Sequence, residues 1–341
     1  MNKFRPLFKF ALATSAVLSA IVLSGCATPT AQAPANDPVT LRVNVFRGGS
    51  NLPIYMAIEK GYFARRGITT ELQFTPNSDQ QRTGLAAGRF EIAHAAVDNA
   101  VAMIEVAKND VVIVAGGDGG MNEVLVRQDI RTLADMRGRT YVVDAPNTAY
   151  ALIGRKMLKN AGLAEGRDYK LHPLGGSEAR TKGLDTPDGA ATLLNPPWNF
   201  IAKDRGAKSL GLTIDLYGPY QASGIFVMRP WAQKNASAME RYIAAYIEGC
   251  RAAQDPTQKT LALQVLKREL KLDDRIADLT YQALTTKGSG LSQDCAFDLQ
   301  GFRNVLSLRA EIEGQWGGQA PAVDKFLDLS YYNRAVQHAK N

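Results

Sequence analysis

Histidine and cysteine are scarce in this chain. Its 341 residues hold three of each: His94, His172 and His338, and Cys26, Cys250 and Cys295. A metal centre needs several such ligands close together, and no spacing here supplies them, so neither a metal nor a cofactor is expected. His94 and His172 fall inside strand-like runs and His338 lies near the C-terminus, which leaves acid–base catalysis without a clear agent. Clustered basic residues, zinc-finger spacing and helix-turn-helix patterns are also missing, and nucleic acid is therefore not an expected partner. Long apolar runs are absent after the first. That first run, 10–23, is too short for a comfortable membrane span of about 20 residues.

What is present begins with a leader. Lys3, Arg5 and Lys9 precede the apolar run, and Leu23-Ser-Gly-Cys26 follows it, as in a secretory signal with small residues before the cleavage point. The Leu-Ser-Gly-Cys ending resembles a bacterial lipobox, which implies cleavage before Cys26, lipidation of Cys26 and attachment to a membrane surface without spanning it. Residues 1–25 are then the signal peptide, and 26–38, rich in Ala, Pro and Thr, a flexible tether. Removal of the leader lowers the net charge from +7 to +4, too mild to indicate a polyanionic partner. Cys250 and Cys295 remain. In an exported chain they form a disulfide or stay buried as thiols, and the sequence leaves both open.

The remaining 300 or so residues exceed one ordinary core and suggest two lobes. Alternation over 41–46 reads as a strand. A Gly-rich break at 47–53 follows, then helical spacing of Ile54, Ala57, Ile58 and Tyr62, and a second strand at 70–74. Asn77-Ser-Asp79 offers a helix N-cap, and strands follow at 90–95 and 111–115. The same order recurs from 139, with strands at 139–143, 169–173 and 190–194 and helices between them. Laying Ser78 on Ser177 aligns Asp79 with Glu178, Gly84 with Gly183 and Leu85 with Leu184 without a gap. A return strand at 224–229 precedes an almost wholly helical C-terminal third. The expected fold is α/β: two doubly wound lobes joined by two crossover segments, with extra C-terminal helices on lobe 1. Lobe 1 takes 39–125 and 225–341, and lobe 2 takes 126–224, with crossings near 121–127 and 219–227.

Three motifs carry a family resemblance. Pro53, Ala57, Gly61, Phe63 and Gly67-Ile68 resemble the P-x-x-x-A-x-x-x-G-x-F-x-x-x-G-I first helix of type II periplasmic solute-binding proteins of ABC importers. Leu85-Ala-Ala-Gly88-Arg-Phe-Glu-Ile-Ala93 is similar to their L-x-x-G-x-x-D-I-A, and Leu133-Ala-Asp-Met-Arg-Gly138-Arg to their L-x-D-L-x-G-K. The resemblance is greatest to the group serving sulfonates, taurine, nitrate and thiamine-pyrimidine precursors. Glu91, expected on the solvent side of a strand, stands where an aspartate is usual, and Ala190-Ala-Thr192 replaces a second D-A motif. The resemblance implies a monomeric protein of the periplasm or cell envelope. It would capture a small polar or anionic molecule between its lobes and deliver it to a permease and its ATPase. Enzymes of the same fold, a pyrimidine synthase and menaquinone-pathway lyases, are the alternative; the synthase's cysteine-rich signature is absent.

In such a fold the ligand meets loops at strand ends and helix N-termini. That places Arg47, Gly49, Ser50 and Asn51 after the first strand, Ser78 at the next helix, and Asp98 and Asn99 after the third strand. From the second lobe it places Asn147, Thr148, Tyr150, Asn195 and Trp198. Arg47 offers a bidentate fork to an anion or else points to solvent. Asp98 binds a ligand nitrogen or caps a helix starting at Ala100. Tyr150 and Trp198 stack on a planar solute or pack between lobes. Gly116-Gly-Asp-Gly-Gly120 lacks a phosphate-loop ending and reads as a hinge or tight loop.

Overall fold

A computed structural model describes residues 37–339. The chain opens with β1 (Val39–Val45), α1 (Leu52–Glu59), β2 (Ile68–Phe74), α2 (Ser78–Ala86), β3 (Ile92–Ala96), α3 (Asp98–Glu105) and β4 (Val111–Gly116). It then enters a second group: β5 (Glu123–Val126), β6 (Arg139–Val143), α4 (Ala149–Asn160), β7 (Tyr169–Pro173), α5 (Ser177–Gly183), β8 (Gly189–Leu194), α6 (Trp198–Asp204), β9 (Lys208–Leu212) and α7 (Thr213–Tyr217). The return strand β10 (Ser223–Met228) is followed by α8 (Arg229–Lys234), α9 (Ala236–Gln254), α10 (Lys259–Leu270), α11 (Asp274–Thr285), α12 (Leu299–Glu313) and α13 (Ser330–His338).

The strands form two five-stranded sheets, ordered β2-β1-β3-β10-β4 and β7-β6-β8-β5-β9. In each, the strand by which the chain enters from the other sheet, β10 or β5, runs antiparallel to its neighbours. β8 is buried along its whole length, and its near-continuous apolar run suits a strand covered on both faces. β4 is buried too, although it ends the sheet order. Its free edge is covered by the chain near Leu327, where Ile113 donates to Phe326 and accepts from Asp328. The chain passes between sheets at 117–122 and at 218–222; since Glu123–Val126 is already a strand of the second sheet, the first passage begins ahead of 121–127.

Close backbone approaches explain several glycines. A Cβ on Gly249 of α9 would stand 2.1 Å from the Pro53 carbonyl oxygen, so only glycine lets α9 settle on α1. In the Gly-rich crossing, a Cβ on Gly119 would stand 2.2 Å from the Gly288 carbonyl oxygen. α13 packs on α9, while α12 also reaches α4 of the second lobe through Lys156–Glu311 (2.8 Å) and Arg155–Glu313. Cys250 and Cys295 form a disulfide, with Cα atoms 6.1 Å apart, tying α9 to the segment before α12.

Two local expectations change. Tyr62 lies past the end of α1, because the chain turns at Gly61, which has φ +68°. Glu91 is not a solvent-facing strand residue: it accepts from the Arg42 backbone N–H at 2.7 Å and pairs with the Arg42 guanidinium, joining the flanks of β1 and β3.

Candidate functional site

The carboxyl ends of β1, β3, β4, β6 and β8 converge on one cavity, with about 80 Å³ open to the centre of a water molecule. That is room for several waters or one small solute. Phe46, Arg47, Gly48, Ser50 and Asn51 line it from the loop after β1; Ser78, His94 and Asn99 from α2, β3 and α3; and Asp118 from the crossing. The second lobe contributes Asp144, Thr148, Tyr150, Ser177, Arg180 and Asn195, and Ser223 and Tyr246 close the floor.

The cleft is held shut by hydrogen bonds between lobes. Gly49 N–H donates to Pro196 O (3.0 Å) and Gly176 N–H to Pro76 O (2.8 Å). Ser78 donates its backbone N–H (3.2 Å) and its hydroxyl to Asp144. Trp198 Nε1 donates to Arg47 O at 2.9 Å, and Arg82 Nη1 to Asn147 O at 3.1 Å.

Of the twelve residues expected at a ligand, Arg47, Ser50, Asn51, Ser78, Asn99, Thr148, Tyr150 and Asn195 line the cavity, while Gly49, Asp98, Asn147 and Trp198 do not. Gly49 and Trp198 act as latches across the cleft, and Gly49 has no room for more: a Cβ there would meet Thr280 Cγ2 at 2.8 Å. Asp98 neither caps α3 nor faces a ligand. It begins the helix itself and is spent on Arg309, whose Nη2 donates to Oδ2 at 3.0 Å and whose Nε donates to Oδ1. The same Nη2 donates to Asn147 Oδ1 at 2.5 Å, which occupies Asn147. Thr148 precedes α4 as its N-cap residue, but its hydroxyl donates to Ala145 O (2.8 Å) and makes no cap bond.

Arg47 reaches the cavity wall, yet its guanidinium turns to the rim. It stacks 4.5 Å over Phe74, itself 42% exposed, and donates to Glu269 O at 3.1 Å. Asn51 is likewise used locally, donating to Phe46 O at 2.6 Å.

Among the wall residues outside those twelve, four carry a guanidinium, carboxyl or imidazole group. Arg180 is 1% exposed, donates to Gly175 O (2.7 Å), Ser177 Oγ (2.9 Å) and Leu193 O (3.0 Å), and lies 5.1 Å from the Tyr150 ring. It occupies the position in α5 that Gln81 holds in α2 when Ser78 is laid on Ser177, and Gln81 too turns back to a strand end, at Asn44. Asp144 follows β6 directly. Asp118 lies in the Gly-rich crossing, and burial pushes its carboxyl above the usual range although Ser223 and Gly120 donate to it. His94 contacts Tyr242 OH at 2.8 Å, and burial drives its imidazole down to about 3, so the ring is neutral in the fold. A lone acid inside a glycine run was a readable signal; the inward turn of Arg180 was not.

Among the described residues, no group of three or more His, Cys, Asp or Glu is placed to hold a metal, and no helix is long and apolar enough to cross a membrane.

Two sheets joined by two crossings, with a cavity at their carboxyl ends, define the periplasmic binding protein fold. The NMT1-like family matches residues 34–267, and the chain belongs to that family. Among solved structures, it is similar to a protein from Bordetella bronchiseptica RB50 at 16% identity and TM-score 0.77, covering 89% of this chain and 98% of that one. The periplasmic nitrate-binding protein NrtA from Synechocystis PCC 6803 matches at 14% identity and TM-score 0.71, covering 88% and 89%. The alkanesulfonate-binding protein SsuA from Xanthomonas axonopodis pv. citri, bound to MOPS, matches at 15% and 0.67, covering 85% and 96%. At these identities the likeness shows the fold. Among curated proteins, none matches the chain.

Proposed function

We propose that this protein is a solute-binding component of an ABC importer, held to a membrane of the cell envelope through lipid on Cys26, which lies outside the described residues. It takes up a small organic molecule between its lobes and presents it to a permease and its ATPase. The observation that carries this reading is the enclosed polar cavity, walled by both lobes and latched by hydrogen bonds that exist only when the cleft is shut. The crossings at 117–122 and 218–222 serve as the hinge. The binding proteins of similar fold, for nitrate and alkanesulfonate, support the role, and the leader ending at Cys26 supports the location.

The alternative, an enzyme of the same fold, has less behind it. The cavity wall carries no cysteine or lysine nucleophile, and its histidine is buried and held neutral against Tyr242.

The test is a thermal-shift screen of small solutes followed by small-angle scattering with and without the best one. A bound solute raises the melting point by mass action and lowers the radius of gyration. An unchanged radius at saturation refutes the hinge. Conversion of the solute, seen by mass spectrometry, refutes the transport role in favour of the enzyme. A lipid label that persists in Cys26→Ala refutes the anchor.

A further inference from the structure

The charges around the cavity do not balance, and the imbalance bears on what it binds. Arg180 and Asp144 lie within electrostatic reach of each other and offset one another. Asp98 and Arg309 are a closed pair behind the wall, the Arg47 guanidinium sits at the rim, and His94 is neutral. Asp118 is left over. It is 5% exposed; one oxygen accepts from Gly120 N–H at 3.1 Å and the other from the Ser223 hydroxyl, and among the described residues no arginine, lysine or histidine pairs with it. A buried carboxylate without a cation is costly, and proteins normally pair it or keep it protonated.

A second observation points the same way. Asn99, 1% exposed and lining the cavity, spends its Nδ2 on Ser78 Oγ at 2.9 Å, and its Oδ1 has no donor. Because the Ser78 hydroxyl donates to Asp144, it can only accept from Asn99, which fixes the amide with its oxygen as the unused end. Asn195, also on the wall, has a second Oδ1 without a donor. One carboxylate without a cation and two amide oxygens without donors thus line the same cavity.

We propose that the solute carries a protonated nitrogen group, an ammonium or amidinium, seated on Asp118 with N–H bonds to Asn99 and Asn195. This deepens the solute-binding reading and rests on it. It departs from the anion expected from Arg47 and differs from the ligands named for the nitrate- and alkanesulfonate-binding proteins. Asp118 belongs to the first crossing, and its carbonyl accepts from Ala222 N–H of the second at 3.1 Å, so neutralising it acts where the lobes are joined.

Calorimetric titration of the purified protein with small probes of each charge is the test: acetamidinium and propylammonium, then nitrate, methanesulfonate and acetate, with acetamide as the neutral control. The expected result is binding by the cations, weakened at least tenfold in Asp118→Asn, whose folding is checked by its melting point. Asn99→Leu, which leaves Asp118 in place, weakens the same cations threefold or more. An anion binding more tightly than either cation overturns the proposal and leaves the solute-binding reading standing. Equal cation affinity in wild type and both variants also overturns it. No binding by either cation at millimolar concentration overturns the proposal, while the solute-binding reading stands or falls on the thermal-shift screen and the scattering.

Discussion

Arg309 offers a sharp test of how the lobes are held. Its side chain is 0% exposed and that of Asp98 is 2% exposed, so the pair is dry, and it also grips Asn147 across the cleft. Arg309→Met keeps the length and apolar stem but leaves a buried carboxylate alone, a change that costs about 3–5 kcal/mol. Unfolding entropy is about 2.1 cal/mol/K per residue, so a folded body of roughly 300 residues loses about 5–8 °C in melting temperature. Differential scanning calorimetry measures it. The double variant Asp98→Asn/Arg309→Met removes the stranded charge as well and should regain a large part of the loss, since replacing a whole buried pair is often near neutral. If the double variant melts as low as Arg309→Met alone, the cost is one of packing, and the electrostatic account is wrong.

His94 makes stability depend on acid. Its folded value of about 3 is below the unfolded value near 6.5, so below pH 6.5 the unfolded chain takes up a proton that the native state refuses, and stability is lost as pH falls toward 3. Urea unfolding should show wild type losing about 2 kcal/mol more than His94→Gln between pH 7 and pH 5, and parallel curves would contradict this. Asp118 acts in the opposite sense. Its raised carboxyl contributes least when ionised, so wild type gains on Asp118→Asn as pH falls through the carboxylate range, and melting curves that stay a constant distance apart would contradict the assignment. The Cys250–Cys295 bond closes 45 residues of chain, so Cys250→Ser/Cys295→Ser should cost up to about 4 kcal/mol in the unfolded-state entropy account. Arg47→Ala should change solute affinity by less than about threefold, and a tenfold loss would return Arg47 to the site.

Much of the scaffold was legible in the chain. Alternation at 41–46, the Asn77 cap, which accepts from Gln80 N–H at 2.8 Å, and the repeat that brings Ser78 and Ser177 to the first turns of α2 and α5 are local signals, and local sterics and hydrogen bonding carry them. The loops that would face the cleft follow from the same order, since parallel α/β sheets present the carboxyl ends of their strands. Which loop residues remain for a ligand is a different matter. Asp98 was visible as a polar residue at a helix start, but its partner Arg309 lies 211 residues further on, and the pairing exists only because α12 packs there. Arg47 was visible as a cation after a strand, yet Phe74 and the Glu269 carbonyl hold it at the rim.

The sequence by itself determined the two-fold plan of strands and helices and the glycine run that becomes a crossing, because each is written in neighbouring residues. Only the tertiary structure decided which charges cancel. Arg180 comes within electrostatic reach of Asp144, Arg309 takes Asp98, and Asp118 is left lining the cavity, because burial and long-range pairing depend on the positions of groups far apart in the chain.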